Sequence, residues 1–353
     1  MGGADGGTDG GNPGRGLSAI GGMVLVATVI IVLAALSWGE LVFAPAAFAV
    51  FIVMVVWPLQ SYLEARMPRM LAMLITIVAT LVCIAFLLLL FAWGISVIGQ
   101  WLVSNASRFQ AIYQAAADWL DGHGVGLAGV VSDTFNMNMA VRFVQSLAAR
   151  ANGLAGFATL VFAFAVLGLL EVENLASRLR KAGSRFGGID IVAAGRETAG
   201  HFGKYMLVRS IASVTTGAAV WIVAYLVGLE HPAAWAAIAF TLNYIPFLGP
   251  LVATLLPTFF ALVQFESIEL AILVLVSLTV VQFIIGSYLE PVFTGSTLSI
   301  SPFAVMFTVF LWSMLWGLTG AFIGVPILVA VMTVCRQIPS MRWLTVMLSG
   351  GKG

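Results

Sequence analysis

Charge is the first thing this sequence lacks. Asp, Glu, Lys and Arg together supply 9% of the 353 residues, against roughly 25% in ordinary soluble domains. A chain so poor in charge cannot cover a water-facing surface, and 61% of its residues are hydrophobic. The net charge is +1, with no block of Lys and Arg interleaved with aromatics, so no nucleic-acid partner is expected. Cysteine is scarce too. Cys83 and Cys335 stand far apart in apolar stretches without metal-type spacing, and read as small buried hydrophobes. No GxxxxGK[ST] loop is present for phosphates, and no HExxH or GxSxG for hydrolysis. ATP hydrolysis and protease or lipase chemistry are thereby set aside, and neither cofactor nor metal is expected.

What is present is a series of apolar runs of about 20 residues, the length that matches a bilayer core. Spans are expected at 18–37, 41–60, 70–98, 152–170 and 207–229, after a Gly-rich polar tail over 1–16 read as disordered. If the N-terminus is cytoplasmic, Arg108, Arg142 and Arg150 fall outside, which leaves thirteen of the sixteen basic residues inside. The positive-inside bias points the same way, so both termini are expected in the cytoplasm. Between the third and fourth spans, 99–151 carries Trp101, Leu102, Phe109, Ile112, Tyr113, Ala116, Trp119 and Leu120 at three- and four-residue steps. That spacing predicts an external amphipathic helical insertion. The mixed-charge stretch 171–206 is expected to be a cytoplasmic loop, and His201 and His231 to be surface histidines.

The C-terminal third is apolar but broken. NYIPFLGP (243–250), YLEPVFTGSTLSISP (288–302) and GLTGAFIGVP (317–326) interrupt it. Proline removes a backbone donor, and freed backbone groups are tolerated at membrane depth only when buried in protein or facing a wet cavity. Interrupted hydrophobic segments are the sequence pointer to a transporter's binding site. The first break is expected to be the tip of a re-entrant hairpin, with Asn243 on the path. Gln282 is polar in mid-span. Glu290 is the carboxylate attached to the breaks, able to accept a cation or a proton. Gly320 and Gly324 form a small-xxx-small pair with Gly317 nearby, which fits close helix packing as well as path lining.

The order of these three blocks resembles the autoinducer-2 exporter family of bacterial membrane proteins. The resemblance extends to WPLQSYLEARMPRMLA (57–72), GLLEVENLASRL (168–179) and HFGKYMLVRS (201–210), and so covers nearly the whole chain. It implies an all-α polytopic permease of the inner membrane with about eight segments, a sizeable external insertion, and assembly into a homo-oligomer such as a pentamer. The family signature falls on Ile245, Pro246, Phe247, Gly249 and Pro250. The later positions fall on Pro291, Gly295, Pro302, Gly317, Gly320 and Pro326. Lys204 and Glu290 depart from the family pattern. The expected domains are the tail at 1–16, N-terminal spans at 17–98, the insertion at 99–151 and a transport region at 152–353. Three functions stay open at this point: export of a small polar solute of the autoinducer-2 kind, exchange of a monovalent cation for protons, and a membrane scaffold that transports nothing.

Overall fold

The computed structural model describes residues 13–122, 137–181, 185–186, 189–290, 292, 300–338 and 341–350. Eleven helices run through the described residues: α1 Pro13–Trp38, α2 Glu40–Glu64, α3 Arg69–Ser104, α4 Ala106–Gly122, α5 Met137–Lys181, α6 Ile191–Val227, α7 Pro232–Leu242, α8 Leu248–Phe265, α9 Ile268–Ile284, α10 Pro302–Gln337 and α11 Arg342–Leu348. A π-helical turn, Ile285–Leu289, continues α9. The two-residue strands Arg185–Phe186 and Ile189–Asp190 pair antiparallel between α5 and α6. Of the stretch 171–206, the first part continues α5 to Lys181 and the last part, from Ile191, opens α6. Of 99–151, residues up to Ser104 complete α3, α4 follows, and α5 begins at Met137.

Local chemistry sets the boundaries. Pro68 before α3 is held extended, as a proline-restricted residue should be, and Pro232 opens α7 at a position where no backbone donor is needed. The Ser267 side chain accepts from the Leu270 N–H and Glu269 sits in the first turn, so α9 has both a cap and a favourable charge. Gly228 closes α6 with φ +78°, and the Leu229 N–H reaches the Ala224 carbonyl at 2.8 Å, the six-residue closure of a Schellman end.

Burial is inverted relative to a water-soluble fold. Met23, Ile30, Leu89, Leu226, Phe259, Phe310 and Met314 are exposed, whereas Gln60, Thr76, Ser213, Thr216 and Asn243 are buried. Six helices are long and apolar enough to cross a membrane, and shorter apolar stretches occupy 22–38, 156–172 and 232–242. An outward apolar surface of this extent has lipid as its solvent, and the chain is an all-α polytopic membrane protein.

Two helical hairpins organise the C-terminal half. In the first, α7 and α8 reverse over Asn243–Phe247, where a Cβ on Gly249 would strike the Leu242 carbonyl. The second lies within α10. Gly320 backs directly onto the carbonyl of Trp312, and a Cβ on Gly324 would come within 3.1 Å of the carbonyl of Thr308. In a continuous helix those pairs would stand roughly 12 and 24 Å apart, so the chain must double back between them. It does so at Trp316 and Gly317, both non-helical, with Gly317 at φ +59°, ψ −141°, a conformation essentially reserved for glycine. The expectation of a third break is met, but as a full reversal rather than a split in one run.

Candidate functional site

Both hairpins pack on α6, and they approach it from opposite ends. In the first hairpin, Gly217 of α6 meets Phe240, Ser213 meets Asn243, and Ser210 meets Tyr244, so its tip points toward the start of α6. Its open end is held beside α3: the Trp101 indole donates to Glu230 at 2.6 Å, and the Gln264 side chain bridges the Glu230 N–H and the Gly228 carbonyl. In the second hairpin, Thr333 lies 3.3 Å from His201 and Gln337 reaches Glu197, so its open end sits at the start of α6. His201 is thus half-buried against α10 rather than a plain surface residue. The Trp316 indole at the reversal donates to the Leu36 carbonyl of α1 at 2.9 Å.

The hairpins meet where the Tyr244 ring stacks on Phe322, centroids 6.3 Å apart, and where Ile245 shares a buried cluster with Trp316, Ala321, Ile323, Val325 and Val329. The first tip is tightly made. Asn243, Ile245, Pro246 and Gly249 are buried, Pro250 partly so, and the Asn243 amide donates to the Ser213 hydroxyl at 3.3 Å. Phe247 is half-exposed with φ +61°, ψ −49°, and the Leu248 N–H closes onto the Pro246 carbonyl at 2.7 Å. That is a three-residue γ-turn of the strained hand, and a non-glycine residue held there costs about 1–3 kcal/mol. Prolines loosen the arms as well. Pro257 and Pro326, both buried inside helices, leave the carbonyls of Ala253 and Phe322 without their usual N–H donors.

Glu290 follows the π-turn and forms an ion pair with Arg209 of α6 at 2.8 Å, the two side chains 24% and 12% exposed. The guanidinium also lies 5.8 Å from the centre of the Tyr205 ring. A π-turn takes one residue more per turn than an α-helix and recurs at functional sites; here it comes immediately before Glu290. Gln282, one helical stretch earlier, has its amide nitrogen sealed from solvent.

The structure therefore brings Asn243, Ile245, Pro246, Gly249, Pro250, Gly317, Gly320 and Pro326 into the two facing hairpins. Pro302 stands apart, exposed at the first position of α10. Pro291 and Gly295 lie outside the described residues. Sequence reasoning counted Arg209 only among the thirteen basic residues on the cytoplasmic side. Its place inside the expected span 207–229 was the available signal that it needs a partner. Nothing in the sequence announced the Trp316 anchor or the Tyr244–Phe322 contact, which join segments far apart along the chain.

Comparison with known proteins identifies the family. Residues 25–340 match the family model described as AI-2E family transporter. A protein of Borreliella burgdorferi named "Putative transport protein" is 27% identical over 332 residues, 93% of this chain and 90% of that one. The AI-2 transport protein TqsA of Escherichia coli K12 is 24% identical over 331 residues, 93% of this chain and 95% of its own length. With two facing hairpins where the sequence breaks fall and a family match spanning nearly all the described helices, the chain belongs to the AI-2E family of membrane transporters.

Proposed function

We propose that this chain is a secondary or facilitated transporter that exports a small polar solute of the autoinducer-2 kind across a bacterial inner membrane. The observation that carries this reading is the pair of hairpins reaching toward each other from opposite ends of α6. The two arms of the first hairpin have 11 and 18 residues, roughly 17 and 27 Å of helix, neither longer than a bilayer core of roughly 30 Å. A hairpin of that depth enters and leaves on one side. Two hairpins that enter from opposite sides and meet at Tyr244 and Phe322 interrupt the apolar barrier with broken backbone and with Asn243, Ser213 and Tyr244. The similarity to TqsA, an AI-2 transport protein, supports the solute class, and arginine placement supports cytoplasmic termini. Assembly as a homo-oligomer such as a pentamer, and a membrane of lipid around it, complete the proposal.

Exchange of sodium or lithium for protons is the alternative, and Glu290 is the group that would carry it. Its pairing with Arg209 disfavours that role, because a carboxylate with a guanidinium 2.8 Å away is already neutralised. The experiment is flux in proteoliposomes of the purified protein, following autoinducer-2 and, in parallel, sodium-driven change of internal pH. Solute release without a pH response is expected. A pH response that disappears in Glu290→Gln would overturn the reading in favour of antiport, and silence in both assays would leave a membrane scaffold.

A further inference from the structure

A threonine in a helix ordinarily donates its hydroxyl to the carbonyl one turn back, and Thr76, Thr80, Thr198, Thr215 and Thr333 all do so at 2.8–2.9 Å. Thr216, wholly buried, does not, and its hydroxyl finds no partner among the described residues. The Gln282 amide nitrogen is equally sealed and equally unpartnered among them. A buried polar group without a partner costs stability, and native structures that keep one owe an explanation.

The two belong to one layer. α6 and α9 run antiparallel, tied at one point by Arg209 and Glu290. Further along, they are tied by the core that holds Val220 with Val274 and Leu278. Seven residues from Arg209 along α6 is Thr216. Eight residues back from Glu290 is Gln282, the π-turn Ile285–Leu289 taking up the extra one. One further turn on each helix are Val220 and Leu278, which belong with Ala253 of α8 to one buried apolar cluster. By residue spacing, Thr216 and Gln282 thus fall at the same level of the two helices, between that cluster and the ion pair. Asn243, at the first hairpin's tip, joins the layer through Ser213, three residues from Thr216.

We propose that Thr216 and Gln282, flanked by Asn243, form a binding site for a small neutral solute bearing hydroxyl and carbonyl oxygens. None of these side chains is ionisable. The Gln282 amide carries a donor and an acceptor, so it can meet either a carbonyl or a hydroxyl oxygen of a solute. The Thr216 hydroxyl can give or accept a hydrogen bond. A solute that supplies both partners removes two desolvation penalties at once, and sites built that way discriminate strongly against analogues lacking the oxygen. This deepens the translocation reading above and rests on it.

The test pairs transport with stability in the full chain, using autoinducer-2 and, as a second neutral polyol, ribose as probes, with sodium chloride as the cationic comparison. Thr216→Val and Gln282→Leu remove the unpartnered groups with little change of volume. Each is expected to hold or raise the solute-free melting temperature while lowering autoinducer-2 flux tenfold or more, and Thr216→Ser, which keeps the hydroxyl, is expected to retain flux. If both variants lose stability and flux together, the groups are structural and the site is overturned. Unchanged flux in both, with wild type active, overturns the site and leaves the transporter reading standing. A wild type that moves sodium or protons but neither neutral solute overturns both.

Discussion

Single glycines set the sharpest limits on this chain. At Gly249 and Gly320 the neighbouring backbone occupies the space of a Cβ, whereas at Gly324 the nearest atom is 3.1 Å away and at Gly200 there is nothing within 4 Å. Substitution by alanine should follow that order. Gly249→Ala and Gly320→Ala are expected to cost about 3 kcal/mol or more by prising the hairpin arms apart and Gly324→Ala about 1, whereas Gly200→Ala, with open space inside a helix, should stabilise by about 0.5–1 kcal/mol, by thermal melting in detergent. Arg209 makes a second residue-scale case. Glu290→Gln leaves a mostly buried guanidinium without its counter-charge, at a cost on the order of 2–3 kcal/mol, below that of a fully buried pair because Glu290 reaches solvent. The reversed pair, Arg209→Glu with Glu290→Arg, should recover most of the lost melting temperature if the ion pair is a structural latch. A Glu290 that works as an ion-binding carboxylate would not be restored in flux by the reversal. Gly320 was legible in the sequence as a close-packing position. Its partner was not, because small-xxx-small spacing names a face and leaves open what lies against it.

At the scale of elements, hydropathy located nearly every membrane helix: α1, α2, α3 and α5 cover the expected spans 18–37, 41–60, 70–98 and 152–170, and α6 follows 207–229 as far as Val227. Hydropathy responds to solvent, and lipid meets these helices on long exposed faces. The second hairpin escaped it because both arms are apolar and the reversal takes only Trp316 and Gly317, too short to dent a hydropathy profile. The two architectures differ by a measurable distance. Spin labels at the exposed positions Phe303 and Val331 would stand roughly 42 Å apart along one continuous helix. The hairpin brings them under about 20 Å, and a pulsed dipolar measurement reads the difference directly. A long distance would mean that α10 is one straight span and that the facing-hairpin arrangement is wrong. The reversal itself is expected to be intolerant: Gly317→Ala has room for the methyl group but forces an alanine to φ +59°, and should destabilise by about 1–2 kcal/mol.

At the scale of the whole molecule, composition alone placed the chain in lipid, since 9% charge leaves no other solvent. The path was only half legible. The breaks announced where backbone would be freed, but which breaks face each other depends on how α6 is shared between two hairpins, and that is a matter of packing. Orientation makes a prediction at this scale. A thiol placed at the exposed Glu266 should react with a membrane-impermeant reagent in intact cells, and one at Ser177 only after lysis, in a background without the exposed Cys83. The opposite pattern would invert the chain and with it the direction of export.

The anchor between Trp316 and Leu36 spans 280 residues, whereas each hairpin closes on neighbours a few turns away along the chain. Local closures form early and distant ones late, so the hairpins can assemble as they enter the membrane while α1, which precedes them, must wait for 280 further residues before its final turn is engaged. Biogenesis therefore leaves the earliest helix waiting for the latest hairpin, and a chain interrupted short of Trp316 would present the membrane's quality-control machinery with an N-terminal helix that has not docked.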